Sequence, residues 1–122
     1  MILADTSVWI DHLRGTNSAL RVELEQGRIV MHPYVTAELA LGSLRDRLKT
    51  VALLEMLPQL RVAQLSEVRR MVEAHKLHGK GIGLVDAQLL ASVMMTPGTT
   101  LWTTDKRLRG VAEALRVSAA IQ

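Results

Sequence analysis

Apolar positions along this chain fall into two kinds of stretch, short solid runs and longer segments with a helical repeat. Residues 2–4 form the first solid run, too short for a helix and followed at once by Asp5-Thr6-Ser7. They read as a buried strand leading into a helix that begins near Val8. Residues 15–18 are a polar break with Asn17 as the expected cap, and the stripe carrying Leu20 and Leu24 predicts a second helix ended by Gly27. Residues 29–31 predict a second strand, closed by His32-Pro33 because proline opens a helix but cannot continue a central strand. Residues 34–44 are apolar-periodic with Glu38 in their middle, and residues 45–57 predict a further amphipathic helix stopped by Pro58.

Beyond Pro58 the alternation continues. A third strand is expected at 61–65, a helix from Ser66-Glu67 to about His78, a glycine-rich loop at 79–83, and a strongly apolar helix at 84–95. Thr96-Pro97-Gly98 is a turn, 99–104 a fourth strand, 105–115 a helix and 117–121 a fifth strand. Strands alternating with helices predict an α/β domain whose parallel sheet is covered on both faces. A length of 122 residues with no linker or repeat makes 1–122 one domain.

Composition narrows the picture. Trp9, Tyr34 and Trp102 are the aromatics, so a base-stacking platform is a poor expectation. The net charge of +3 comes from dispersed arginines, compatible with a phosphate-rich partner but no proof of one. The absence of cysteine removes disulfides and cysteine zinc sites and suits a reducing compartment. No run approaches a membrane span, so a cytoplasmic location is expected.

Four acids then stand where acids are costly. Asp5 and Asp105 sit at strand exits, where ligands of such sheets gather, although Asp5 or Ser7 also reads as an ordinary helix cap. Asp86 shares a helical face with Ile82, Leu89, Leu90 and Val93, and Glu38 lies mid-helix among Tyr34, Val35 and Leu41, so both are expected on buried faces. If the four meet, their charge demands a cation, and an all-oxygen set fits Mg2+ or Mn2+. The alternative is a buried ion-pair cluster using Arg14 or Arg107.

Asp5-Thr6-Ser7 after the opening strand, Glu38 in Val-Thr-Ala-Glu-Leu-Ala-Leu-Gly, Asp86 in Leu-Val-Asp-Ala-Gln-Leu-Leu-Ala, and Thr103-Thr104-Asp105 after the late strand together resemble the PIN-domain ribonucleases, in particular the VapC toxins. The resemblance spans essentially the whole chain. It implies an α/β/α sandwich, an acidic pocket in which Asp5, Glu38, Asp86 and Asp105 hold one or two Mg2+ ions, and Ser7 and Thr103 as hydroxyls that orient the carboxylates. It also implies RNA cleavage by water, leaving a 5′-phosphate and a 3′-hydroxyl, a VapB-like antitoxin partner and a homodimer. Many relatives carry a fifth acid two positions after the last; here Arg107 stands there, with Leu108 after it, so four acids are expected.

Other signals are weaker. Arg14, Lys80, Lys106 and Arg107 lie near an acid or its loop and suit phosphate contacts as well as they suit ordinary surface charge. The loop around Lys80 lacks the spacing of a nucleotide-binding loop and reads better as a connector than as a phosphate cradle. His75 and His78, a turn apart, are expected to be a solvated helix end, and His12 and His32 to be structural. Leu39, Leu41, Leu44, Leu48, Val51, Leu54, Met56 and Leu57 exceed the needs of one buried stripe, which leaves a partner groove, a dimer face or added core equally open. The competing functions are a haloacid-dehalogenase-like Mg2+-dependent phosphatase, disfavoured because Ser7 stands where its second acid belongs, and a non-catalytic phosphate-binding module, which would not need Glu38 and Asp86 on buried faces.

Overall fold

The computed structural model describes residues 1–16 and 18–121. The expectation for Asn17 lies outside them. In chain order the elements are β1 (Ile2–Ala4), α1 (Thr6–Leu13), α2 (Ala19–Glu25), β2 (Ile29–Val30), α3 (Pro33–Ala40), α4 (Arg47–Glu55), α5 (Leu65–His75), α6 (Leu84–Met94), β3 (Thr100–Trp102) and α7 (Lys106–Ala114).

The three strands form a parallel sheet in the order β2-β1-β3, with Leu3 opposite both Val30 and Leu101 and Ala4 opposite Trp102. Successive strand residues point to opposite faces, yet Leu3 and Ala4 are both fully buried, as are their neighbours Ile29, Val30, Leu101 and Trp102 to within a few per cent. Both faces are therefore covered by helices, which gives the expected α/β/α layering. No helix among the described residues is long and apolar enough to cross a membrane.

Two expected strands shrink to single bridges. The third pairs earlier than the sequence suggests: Met31 N donates to Pro58 O (2.7 Å) and Leu60 N to Met31 O (2.8 Å), with Gln59 opposite Met31. Residues 61–64 leave the sheet because the Gln88 side chain takes both the N–H (2.7 Å) and the carbonyl (2.9 Å) of Ala63. At the other edge only Ser118 bridges, opposite Leu101. The helix expected over 34–44 ends at Ala40, and α4 starts only at Arg47 after Asp46 in a left-handed conformation (φ 48°). Leu41 and Leu48 consequently point to solvent, 89% and 81% exposed.

Candidate active site

Because β1 and β3 run side by side with Ala4 opposite Trp102, the chain leaves the sheet at the same level at Asp5 and Thr103. Asp5 N donates to Trp102 O at 2.9 Å, locking that level. Both exits turn straight into helices. Asp5 caps α1, its buried carboxylate accepting from Val8 N (3.3 Å) and Ser7 Oγ (2.5 Å) at Oδ1 and from Thr103 Oγ1 (2.5 Å) at Oδ2. Asp105 caps α7 by accepting from Arg107 N (2.9 Å) and Leu108 N (3.1 Å), while its own N–H donates to Thr103 Oγ1 (3.0 Å). Thr104 N reaches Ser7 Oγ at 3.3 Å. The hydroxyls of Ser7 and Thr103 thus stitch the two exits together, and the candidate site acids Asp5 and Asp105 both serve as helix caps.

The helix-borne acids are less buried than the sequence suggests. Glu38 is exposed, because α3 turns Val35, Thr36 and Leu39 inward and leaves Tyr34 and Glu38 outside. It is nevertheless tied to the β1 exit by Thr6 Oγ1, which donates to its Oε1 at 2.6 Å. The sequence marks Thr6 only as a hydroxyl beside Asp5 in the first turn of a helix, which does not reveal this bond. Asp86 lies in the first turn of α6 and is half-buried, with Gly83 N donating to its Oδ2 at 3.4 Å. The helix is buried on nearly every side from Ala87 to Val93, so Asp86 stands at its mouth rather than on a core stripe. Asp105 is exposed and Asp5 buried.

Asp86 shows that the four acids share a field. Burial, and then repulsion from Asp105, Asp5 and Glu38, hold its carboxyl above the ordinary value of 3.8 against the opposing Gly83 hydrogen bond. Among the described residues none of the four carboxylates makes an ion pair, and neither do Arg14 and Arg107, which leaves the ion-pair alternative without support. Among the same residues no three carboxylates or imidazoles already stand in the arrangement that encloses an ion. The candidate donor set nevertheless suits a hard divalent cation: the four side chains offer only carboxylate oxygens, and none is ion-paired among the described residues.

The four cations considered for phosphate contact divide into two places. Arg14 lines a cleft of about 220 Å³ with Ile10, Glu38, Leu44 and Arg45. Lys80, Lys106 and Arg107 line another, of about 580 Å³, with His75 and Lys76. Gly81 (φ +78°) supports Arg107 there: a Cβ on Gly81 would sit 2.8 Å from Arg107 Cδ.

His32 is structural, as expected, and its partners form a network that the sequence alone does not show. His32 is wholly buried, and its Nδ1 accepts from Tyr34 N (3.0 Å), capping α3. That bond assigns the proton to Nε2, which faces Ser92 Oγ at 2.9 Å. Ser92 Oγ in turn reaches Gln88 Oε1 at 3.1 Å. The network ties α6, and so the Asp86 backbone, to residue 63 and to the start of α3. Its signal was Gln88 and Ser92 a turn apart in an otherwise apolar helix.

Comparison with known proteins adds an independent line. The PIN domain family model matches residues 2–114. Ribonuclease VapC32 of Mycobacterium tuberculosis (strain CDC 1551 / Oshkosh) is 47% identical over 124 residues, covering 97% of this chain and 100% of the relative. Ribonuclease VapC11 of M. tuberculosis (strain ATCC 25618 / H37Rv) is 28% identical over 131 residues, and so is VapC ribonuclease Mb1587 of Mycobacterium bovis, each alignment covering 98% of both partners. A parallel sheet with Asp5 and Asp105 at its strand exits, in a chain matched along nearly its full length by the family model and these relatives, places it in the PIN-domain family, on its VapC branch.

Proposed function

We propose that this protein is a divalent-metal-dependent endoribonuclease, the toxin of a VapBC-type pair. The observation that carries the reading is Asp86, a half-buried carboxyl held above its usual range by burial and by three other acids, none of the four being ion-paired among the described residues. Such a charge concentration costs stability, and a bound cation is the economical reason to keep it. The names of the relatives, all ribonucleases, point the same way.

In this reading Asp5, Glu38, Asp86 and Asp105 hold Mg2+, for which Mn2+ substitutes. When bound, the ion supplies acidification of a nucleophilic water and neutralisation of charge on the phosphoryl oxygens. Asp5 is held still for this task by Ser7 and Thr103, and Glu38 by Thr6, so the chain presents oxygen donors whose orientation is set before any ligand arrives.

The exposed leucines suit the partner. Leu41, Leu48, Leu53 and Met56 are all more than half exposed around α4, while Leu39 and Leu54 belong to the core. An antitoxin segment, or a second copy of this chain in a homodimer, would cover that surface.

The test is cleavage of RNA by the purified protein with EDTA present and then with Mg2+ in excess. Cleavage should stop in chelator, return with Mg2+ or Mn2+, and be absent in Asp86→Asn. Cleavage indifferent to chelator, or retained by that variant, would overturn the assignment.

A further inference from the structure

The acidic site has a neighbour of opposite sign. The cleft of about 580 Å³ between the end of α5, the loop that follows it and the outer side of α7 is lined by Lys76, Lys80, Lys106 and Arg107, with His75 beside them and no acid on its walls. Among the described residues none of these four cations makes an ion pair. Four unneutralised cations around one concavity repel one another, and low-dielectric walls focus their field on whatever enters. Lys76 adds a local cost: it holds the left-handed C-cap of α5 (φ 54°), a conformation cheaper for glycine, and glycine would bring no charge.

The cleft is joined to the acids by short, fixed links. Lys106 and Arg107 directly follow Asp105, whose carboxylate grips the Arg107 backbone N–H at 2.9 Å. The Arg107 side chain lies over Gly81, two residues before the Gly83 N–H that reaches Asp86. A polyanion that places one phosphate against the acids and their cation therefore finds, immediately alongside, a basic wall for the next phosphates.

We propose that this cleft is the track for the RNA backbone on one side of the scissile bond, engaging single-stranded RNA through its phosphates at Lys76, Lys80, Lys106 and Arg107. The proposal rests on the nuclease reading and adds to it the path of the substrate. Arg14, on the Glu38 cleft, is not part of this track. Because contacts to phosphate carry no sequence information, the track sets affinity and register while base choice arises elsewhere.

The test measures binding apart from cleavage. A short fluorescent oligouridylate is titrated with the whole protein in EDTA over a range of salt concentrations, comparing wild type, the triple variant K76Q/K80Q/K106Q, and a charge-matched control R21Q/K49Q/R69Q whose residues are exposed and lie outside the lining of the cleft. Each lost phosphate contact to a single strand lowers the slope of log affinity against log salt by about 0.7, so the cleft variant should lose about two units of slope, and affinity by roughly 100-fold at 0.1 M salt. The control should keep the wild-type slope. An unchanged slope in the cleft variant, or an equal loss in both variants, overturns the track. So does a polyglutamate competitor that displaces the RNA at equal charge concentration, which would assign the cleft to an acidic protein instead. Mg2+-dependent cleavage is scored separately: if it is absent while the cleft-specific slope remains, the nuclease reading fails and the RNA track stands.

Discussion

Thr103→Val is the sharpest probe of how the site is built, because it removes one oxygen and little else. Thr103 is 2% exposed, and its hydroxyl donates to Asp5 Oδ2 at 2.5 Å while accepting from Asp105 N at 3.0 Å. Valine keeps the shape and forfeits both bonds. A hydrogen bond to a carboxylate contributes about 1.5–3 kcal/mol, and the partly exposed Asp105 N–H adds about 1 kcal/mol when stranded, for a loss of roughly 3 kcal/mol. A chain of 122 residues unfolds with an entropy of about 0.26 kcal/mol/K, so the melting temperature should fall by about 12 °C. Thr103→Ser keeps the hydroxyl and loses one buried methyl, with an expected cost of about 1 kcal/mol. The site should register the change too, with Mn2+ affinity falling 10- to 100-fold in the valine variant and recovering in the serine one. Differential scanning calorimetry and metal titration read the two effects. A valine variant that melts within about 2 °C of wild type, or one that binds metal as wild type does, would refute the idea that this hydroxyl holds Asp5 in place.

Three further outcomes follow from the same geometry. Asp86 binds its proton more tightly folded than unfolded, so its ionisation weakens the fold as pH rises above 3.8. Asp86→Asn should therefore raise the neutral-pH melting temperature while removing cleavage, and a lowered one would count against the crowded-acid picture. His32 has the opposite sign: burial depresses its pKa, so the unfolded chain takes up the proton first and stability should fall as pH drops below 6.5. Urea midpoints across that window should show the slope in wild type and lose part of it in His32→Asn, whereas identical slopes would place the dependence elsewhere. Gln88→Leu strands the buried carbonyl of Ala63 and should cost about 2–3 kcal/mol in denaturant unfolding, while a cost under 1 kcal/mol would mean that the segment refolds around the loss.

The strand exits were legible because a short apolar run followed by Asp leaves few alternatives, and both Asp5 and Asp105 lie where that pattern puts them. Glu38 and Asp86 were found for a reason that holds only in part. Helical counting placed them among apolar neighbours, but α3 turns Val35, Thr36 and Leu39 inward and leaves Glu38 in solvent, and Asp86 belongs to a first turn rather than a stripe. The edge pairings were legible only roughly: Ser118 falls inside the expected run at 117–121 but joins the sheet by a single bridge, while Gln59 bridges just ahead of the run expected at 61–65. The buried His32 network left only half a signal, Gln88 and Ser92 a turn apart, since their contact with a residue 60 positions from Ser92 is encoded in no local pattern.

The bonds already made by Asp5 also bear on which ion the proposed site would prefer. A carboxylate offers about four acceptor directions, and Ser7, Val8 and Thr103 take up three of them. What is left accommodates a single further partner, so Asp5 cannot clasp an ion with both oxygens. Calcium favours carboxylates that grip it in that way and a crowded shell of oxygens, whereas magnesium accepts single-oxygen contacts and retains its own waters. If Asp5 holds a cation as proposed, those three hydrogen bonds favour the smaller ion without touching it.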